Sequence, residues 1–154
     1  KRFLACGSWL NRGIGSSTIP NLRNYILTTP LSINPSKILL YAGENDISRG
    51  ISAKETADAY KKLINTLLDK YPGSELHVIA IKPSPRRRMY WNKFYIVNNA
   101  LEIYLGKFKW GYFHTHPLGD EGFNRKSFVD DGVHLTDQGY NIFTLGINSI
   151  CKTN

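Results

Sequence analysis

The sequence predicts a three-layer α/β/α sandwich built around a parallel β-sheet. Two internal segments, residues 37–42 and 76–81, are almost continuously apolar, which is typical of strands that are buried on both faces. These segments alternate with stretches in which apolar residues recur at helical spacing. Strands that alternate with helices favour a parallel sheet with helices on both faces. A flavodoxin-like sheet of this kind places its functional site beyond the carboxyl ends of its strands.

Length and composition are those of one soluble globular domain. The chain has 154 residues, of which 42% are hydrophobic and 21% are charged. No apolar run approaches the roughly 18 residues that a membrane span requires. The net charge of +8 suits either an anionic partner or solubility alone. Because no groove-reading motif is present, we expect one domain over residues 1–154 and no nucleic-acid partner, with the compartment left open.

Local signals mark the ends of the predicted helices and strands. Pro30 and Pro35 break the chain after the first helix. Ser52 and Glu55 form a capping box at the start of the second helix, and Thr136 can cap the last one. In chain order, the predicted elements are strand 3–6, helix 21–27, strand 37–42, helix 52–70, strand 76–81, helix 89–108, strand 110–114 and helix 136–151.

An acid and a histidine three residues apart form the most informative local pattern. Asp131 and His134 lie just before the cap of the last predicted helix. A carboxylate beside an imidazole is the base half of a hydrolytic triad, in which the acid fixes the tautomer and the imidazole moves the proton. The alternative is a surface pair in which Asp131 only interacts with the helix dipole.

Short loops that follow the predicted strands should meet at one edge of the sheet. Residues 7–8, 13–17, 43–46 and 82–85 form these loops. Since the carboxyl ends of parallel strands share one edge, the loop that carries Asp131 and His134 is expected to meet them there.

Four segments in this order resemble the SGNH (GDSL-type) hydrolase family. They read Asn11-Arg12-Gly13, Tyr41-Ala42-Gly43-Glu44-Asn45-Asp46, Lys82-Pro83-Ser84-Pro85 and Asp131-Gly132-Val133-His134-Leu135. The resemblance runs from about Asn11 to the C-terminus, and it is to the bacterial GDSL-like lipase and acylhydrolase subgroup. It implies the SGNH hydrolase fold and a serine esterase that acts on a small-molecule ester. It implies no metal or organic cofactor.

The resemblance also assigns roles to individual residues. It makes His134 the general base, Asp131 the acid that orients it, and the side-chain amide of Asn45 an oxyanion-hole donor. The second donor in the family is the backbone N–H of a glycine, and Ser16 stands at that place here. A positive φ at Ser16 would strain a serine. Gly15, beside it in the same loop, is a candidate substrate-binding residue.

Other residues near the expected site carry less definite assignments. Tyr90 and Trp91 are candidates to line the mouth of the site, although aromatic residues at helical spacing are more typical of a core. Asp46 is expected to hold its loop, and Gly43 is expected to allow a close backbone approach. The three arginines at residues 86–88 either steer an anionic substrate or belong to a solvated loop.

The nucleophile is the point at which the chain departs from the family pattern. Ser8 is the serine at the end of the first predicted strand, and we take it as the provisional nucleophile, although the family register places Trp9 there. A crossover between parallel strands needs about a dozen residues or more, and residues 7–10 do not provide one. The strand and helix unit between Ser8 and Trp9 is therefore incomplete. A segment missing from this sequence, a deletion, or a natural member without its nucleophile would each explain this.

Other interpretations stay open. A chain that has lost its nucleophile would be a catalytically inactive SGNH-fold binding module, and a basic α/β domain that binds nucleic acid is a weaker alternative. His114 and His116 flank Thr115 at a strand end, where a metal site is conceivable. No further ligand is well placed, so no metal is predicted. Cys6 and Cys151 have no metal or redox spacing.

Overall fold

The fold is centred on a parallel β-sheet in the part of the chain that the structure describes. The computed structural model describes residues 8–30, 32–116, 123–145, 147 and 150. Three strands pair there in the order β1-β2-β3, and both pairs are parallel. The strands are β1 (Lys37–Leu40), β2 (Glu75–Ile79) and β3 (Gly111–His114). The predicted parallel sheet is confirmed, with each strand one or two residues shorter than its apolar run.

Helices α1 (Ile19–Thr28), α3 (Ala53–Lys70) and α4 (Trp91–Leu105) belong to the main core of the molecule. The apolar side of α3 includes Tyr60, Leu63 and Ile64, all fully buried. Val78 of β2 joins the same cluster. Burying an aliphatic side chain of this size contributes about 1.5–3 kcal/mol relative to leaving it exposed, so this helical layer carries much of the stability.

A second, smaller cluster includes the last helix, α5 (Asp137–Leu145). Ile79 is buried here with Ile147 and Ile150, and Tyr41 and Phe143 pack against them. Residues from β2 and from the end of β1 therefore have two separate apolar environments, as the predicted three-layer sandwich requires.

Two predicted helices can be compared residue by residue with the structure. Helix α3 begins at Ala53 after the capping box, in which the Ser52 Oγ accepts the Glu55 N–H at 3.2 Å and the Glu55 carboxylate accepts the Ser52 N–H at 3.1 Å. The single helix predicted over residues 89–108 is wrong in its bounds. A 3₁₀ helix, Pro85–Tyr90, comes first and is interrupted at Arg87, where φ is −106° and ψ is 22°. Only then does α4 begin.

Several short elements lie where loops were expected. Helix α2 (Glu44–Ser48) is separated from the end of β1 by three residues, and a second 3₁₀ helix, Arg125–Ser127, lies between the predicted strand 110–114 and the predicted helix 136–151. Gly43 precedes α2 with φ at +91°, and a Cβ there would lie 2.9 Å from the Cδ1 of Ile81. The expected close approach at Gly43 is therefore present. The predicted strand at residues 3–6 and the end of the last predicted helix lie outside the described residues.

Across the described ranges, no helix is long and apolar enough to cross a membrane.

Candidate active site

Asp131 and His134 form a direct pair at the surface. The Asp131 Oδ2 lies 2.5 Å from the His134 Nδ1. The other carboxylate oxygen, Oδ1, accepts the backbone N–H groups of Val133 at 2.8 Å and His134 at 2.9 Å. The contact at Nδ1 leaves the Nε2 of the imidazole as its second ring nitrogen, on a side chain that is 79% exposed. This is the geometry in which an acid orients a base.

The turn that carries this pair is built by its own backbone. The Val129 N–H donates to the His134 carbonyl at 2.9 Å, and the Gly132 N–H donates to the Val129 carbonyl at 2.9 Å. Gly132 has φ at +66°, a conformation that a glycine adopts without strain. Its carbonyl accepts the Arg86 N–H at 3.1 Å. The turn is thereby joined to the 3₁₀ helix that follows β2.

The pair also alters the acidity of Asp131. The hydrogen bond to His134 holds the pKa of this carboxyl well below its usual range, and the two backbone N–H donors act in the same direction. Asp131 is therefore ionised throughout the pH range in which an imidazole can act as a base.

Asn45 lies at the first residues of α2, just beyond the end of β1. Its Nδ2 donates to the Ser17 carbonyl at 3.0 Å, and its Oδ1 accepts an N–H from the Arg87 guanidinium at 3.0 Å. Three segments therefore meet at this one side chain: the loop before α1, the segment after β1 and the segment after β2. The expected convergence of loops beyond the sheet is present for these three segments.

Asp46 holds the loop, as expected. Its two carboxylate oxygens accept the Ile19 N–H at 3.0 and 3.2 Å, which satisfies a free donor at the start of α1. Burial raises the pKa of Asp46, and the backbone hydrogen bond from Ile19 partly offsets this. The adjacent Asn45 is thus carried on a segment that is anchored to α1.

Ser16 adopts the positive φ that was expected to strain a serine at this position. Its φ is +57°, and it is the only non-glycine residue with a positive φ in the described ranges. Its carbonyl accepts an N–H from Arg49 at 2.8 Å. A left-handed φ costs an ordinary residue about 1–2 kcal/mol, which explains why a glycine suits this position in the family pattern. Gly15 beside it is exposed, and a Cβ there would meet nothing within 4 Å.

Ser8 is not brought to the pair. It is exposed, and no hydrogen bond joins it to His134 among the described residues. Trp9, which occupies the family register of the nucleophile, is 37% exposed. The assignment of Ser8 as nucleophile stays a prediction.

Tyr90 and Trp91 lie at the junction between the first 3₁₀ helix and α4. The Trp91 Nε1–H donates to the Ser84 carbonyl at 3.0 Å, and Arg88 lies over the indole at 5.8 Å from the ring centre. Tyr90 packs in part against the main core. Trp91 therefore ties down the turn after β2, and a role for either ring in substrate binding stays a prediction.

A buried polar cluster beside Asn45 was not predicted from the sequence. Glu44 is 5% exposed, and its carboxylate contacts Tyr41, Lys82, Ser84 and Arg87. One signal could have found it. A carboxylate just after a buried apolar strand needs cationic partners, and the second such strand is followed by Lys82 and the three arginines at residues 86–88.

The histidines of β2, of β3 and of the residues just after β3 have separate hydrogen-bond partners. His77 Nδ1 lies 3.0 Å from His114 Nε2, and His116 Nε2 lies 2.8 Å from the Ala80 carbonyl. Among the described residues, no group of three or more histidine, cysteine or acidic side chains could hold a metal ion. His114 and His116 point to different partners rather than to a shared site.

A comparison with protein families supplies the class of protein. The chain belongs to the GDSL-like lipase/acylhydrolase family, whose pattern matches residues 4–142. The protein is therefore a hydrolase of the GDSL/SGNH type. No match was found among curated protein sequences.

Solved structures with the SGNH hydrolase fold resemble this one. A protein from Streptococcus pneumonia, described provisionally as a platelet activating factor, superimposes with a TM-score of 0.78 at 22% identity, over 92% of this chain and 72% of that one. A family 3 carbohydrate esterase from Clostridium thermocellum superimposes with a TM-score of 0.71 at 22% identity, over 89% of this chain and 68% of that one. At this identity the two likenesses establish the fold.

Proposed function

We propose that the protein is a carboxylic ester hydrolase that works through a serine acyl-enzyme. The observation that carries the proposal is the Asp131–His134 pair, with its carboxylate at 2.5 Å from Nδ1 and its Nε2 on an exposed ring. The pair needs a hydroxyl nucleophile in front of Nε2 and donors for the oxygen that becomes negative.

In the proposed mechanism, the serine Oγ attacks the ester carbonyl carbon while its proton passes to the His134 Nε2. The tetrahedral oxyanion collapses, the alcohol leaves with the proton from Nε2, and the acyl group stays on the serine. A water molecule then gives a proton to Nε2 and attacks the acyl carbon. The bond from that carbon to the serine Oγ breaks, Oγ takes the proton back from Nε2, and the acid is released. Asp131 stays ionised throughout and stabilises the imidazolium.

Asn45 and the Ser16 backbone N–H are the proposed oxyanion donors. One amide hydrogen of Asn45 is engaged by Ser17, and no described residue accepts the second. Removing one such donor from a serine hydrolase costs about 100-fold to 1000-fold in kcat. Ser8, or a serine in a segment missing after it, is the proposed nucleophile.

The proposed substrate is a small ester. An acetylated sugar, a short-chain ester and a lysophospholipid all fit the chemistry, and a likeness to a carbohydrate esterase makes acetylated sugars the first to assay. Gly15, Tyr90 and Trp91 are the proposed contacts with the substrate.

Hydrolysis of p-nitrophenyl acetate and butyrate tests the proposal. We expect the wild-type protein to release p-nitrophenol and His134→Ala to lose about 1000-fold or more of kcat, because triad members act as a unit. Thermal unfolding of the variant controls for folding, since His134 is exposed. Activity that survives the substitution would remove Asp131 and His134 from the mechanism.

A second function is favoured by two features of the chain. Ser8 has no hydrogen bond to His134, and Trp9 occupies the family register of the nucleophile. An inactive SGNH-fold module that only binds its ligand would have these properties. A wild-type protein whose intact mass equals that of the 154-residue sequence, and which hydrolyses none of the three ester classes, would favour this module.

A further inference from the structure

We propose that Arg87 is a positioning residue that orients the Asn45 carboxamide, and that the buried carboxylate of Glu44 holds Arg87 in place. The proposal rests on the proposed function, in which Asn45 donates to the oxyanion. It assigns a role in the proposed site to Arg87, which is neither the nucleophile, the base nor an oxyanion donor.

Glu44 is the anchor. Its Oε2 accepts a hydrogen bond from the Tyr41 hydroxyl at 2.7 Å and pairs with the Lys82 Nζ at 2.5 Å, and its Oε1 accepts a hydrogen bond from the Ser84 hydroxyl. Both the Glu44 and the Lys82 side chains are less than 10% exposed. Two charges in such a site are tolerated because they are paired and their remaining positions are hydrogen-bonded. The carboxylate therefore has a fixed place at the end of β1.

Arg87 links this anchor to the neighbouring residue. Its Nη1 lies 3.4 Å from the Glu44 Oε1, and its Nη2 donates to the Asn45 Oδ1 at 3.0 Å. A guanidinium is planar, and its donors are held in a rigid fork. Because one arm of the fork is held by Glu44, the direction of the other arm is set as well.

The Asn45 amide is thereby given one orientation. An amide oxygen can only accept hydrogen bonds and an amide nitrogen can only donate them. Arg87 requires the oxygen on its side, and the Ser17 carbonyl requires the nitrogen on the other side at 3.0 Å. The second amide hydrogen is left for a ligand. A flipped amide would present its oxygen to a developing oxyanion and repel it.

The sequence position of Arg87 explains how it reaches Asn45. The 3₁₀ helix is interrupted at Arg87 itself, with φ at −106°. Its side chain is 18% exposed, whereas the flanking Arg86 and Arg88 are exposed residues. Of the three arginines, Arg87 is therefore the one that is partly buried against Glu44 and Asn45.

Steady-state kinetics on p-nitrophenyl acetate provide the first test, with Arg87→Met and Arg87→Lys as variants. Methionine removes every donor, and lysine keeps the charge for Glu44 but lacks the fork. We expect kcat to fall about 10-fold to 100-fold in both, with KM changed less than about 3-fold, because the loss is confined to oxyanion stabilisation. Arg23→Met is the matched control. It removes an exposed arginine of α1 that donates to Thr66 of α3, and we expect activity near that of the wild type.

The double variant separates positioning from a general structural effect. If Arg87 acts through Asn45, then Asn45→Ala with Arg87→Met has about the same kcat as Asn45→Ala alone. Losses that multiply in the double variant would overturn the proposal. So would an Arg87→Met protein with wild-type kcat.

A second readout does not depend on activity. The side-chain ¹H–¹⁵N pair of Asn45 is identified by its disappearance from the spectrum of Asn45→Ala. We expect slow exchange of the amide hydrogen that bonds to Ser17 in the wild type and faster exchange of it in Arg87→Lys, with circular dichroism unchanged. Unchanged exchange in Arg87→Lys would contradict the positioning role. If exchange responds as expected but no ester is hydrolysed, the positioning stands and the proposed function fails.

Discussion

His116 lies beneath α5 and is one of the buried polar residues. It is 8% exposed, its Nε2 faces the Ala80 carbonyl at 2.8 Å, and its ring stacks against Phe143 with 4.9 Å between the ring centres. Burial lowers the pKa of His116 to about 4. The imidazole therefore stays neutral in the folded protein at pH values where it takes up a proton in the unfolded chain.

This difference predicts an acid-sensitive contribution to stability. Between about pH 6.5 and 4 the unfolded chain binds the His116 proton and the folded protein does not, so the free energy of unfolding falls as the pH falls. Between pH 7.5 and 4.5, we expect the free energy of unfolding of His116→Gln to fall by about 2 kcal/mol less than that of the wild type. Urea unfolding at the two pH values measures this. A wild-type His116 ring that titrates near 6.5 by NMR would contradict the assignment.

At the scale of residues, the sequence was most informative where contacts are local. Asp131 and His134 are three residues apart, so one turn can bring them together and the pattern alone predicted the pair. Arg87 and Glu44 are 43 residues apart, and nothing local distinguishes Arg87 from its two neighbours. That contact depends on the register in which β1 and β2 pair. The sequence alone does not predict this register.

At the scale of elements, α5 and the second 3₁₀ helix are packed closely enough to exclude a methyl group. The Thr136 Oγ accepts the Gly139 N–H at 3.2 Å, which supports the predicted cap, and the Thr136 N–H donates to the Ser127 carbonyl at 3.0 Å. A Cβ at Gly139 would lie 2.0 Å from that same carbonyl oxygen. Backbone cannot yield to such a contact without moving the start of the helix.

We therefore expect Gly139→Ala to lower the free energy of unfolding by about 1–3 kcal/mol, as overpacking does. Gly73→Ala is the control, because a Cβ at Gly73 meets nothing within 4 Å. Urea denaturation of the two variants gives the comparison. Equal stability of Gly139→Ala and the wild type would show that α5 can shift freely on the loop.

Elements with strong local signals were predicted well, and the remainder depended on packing. Helix α3 has a capping box and a regular apolar face, and its predicted bounds agree with the structure. The helix predicted over residues 89–108 had apolar residues throughout but no clear start. A 3₁₀ helix precedes α4 there, and Trp91 just after it donates a hydrogen bond to the Ser84 carbonyl just before it. Periodicity does not reveal this arrangement.

At the scale of the whole molecule, separate segments meet beyond the carboxyl edge of the sheet. Ser17, Asn45 and Arg87 are joined by hydrogen bonds, and Arg86 is joined to the turn of Asp131 and His134 through Gly132. The sequence predicted this convergence from the alternation of strands and helices. It did not identify the nucleophile by its register, because a nucleophile is recognised by its place at the end of a strand and the family register falls on Trp9 here.

We propose that Asp131 orients His134 in ester hydrolysis. The adjacent aspartates Asp130 and Asp131 allow a direct test of this role. Asp131→Asn removes the acid that contacts Nδ1, whereas Asp130→Asn removes a fully exposed acid that lies 3.8 Å from Arg125. Both substitutions change the net charge by one unit and leave the side-chain size unchanged.

The measurement is kcat for p-nitrophenyl acetate in these two variants, with the wild type assayed beside them. We expect Asp131→Asn to lose about 1000-fold to 10,000-fold, because an amide stabilises the wrong tautomer of the base, and Asp130→Asn to stay within about 2-fold of the wild type. Equal activity in the two variants would show that Asp131 does not orient His134 in the reaction.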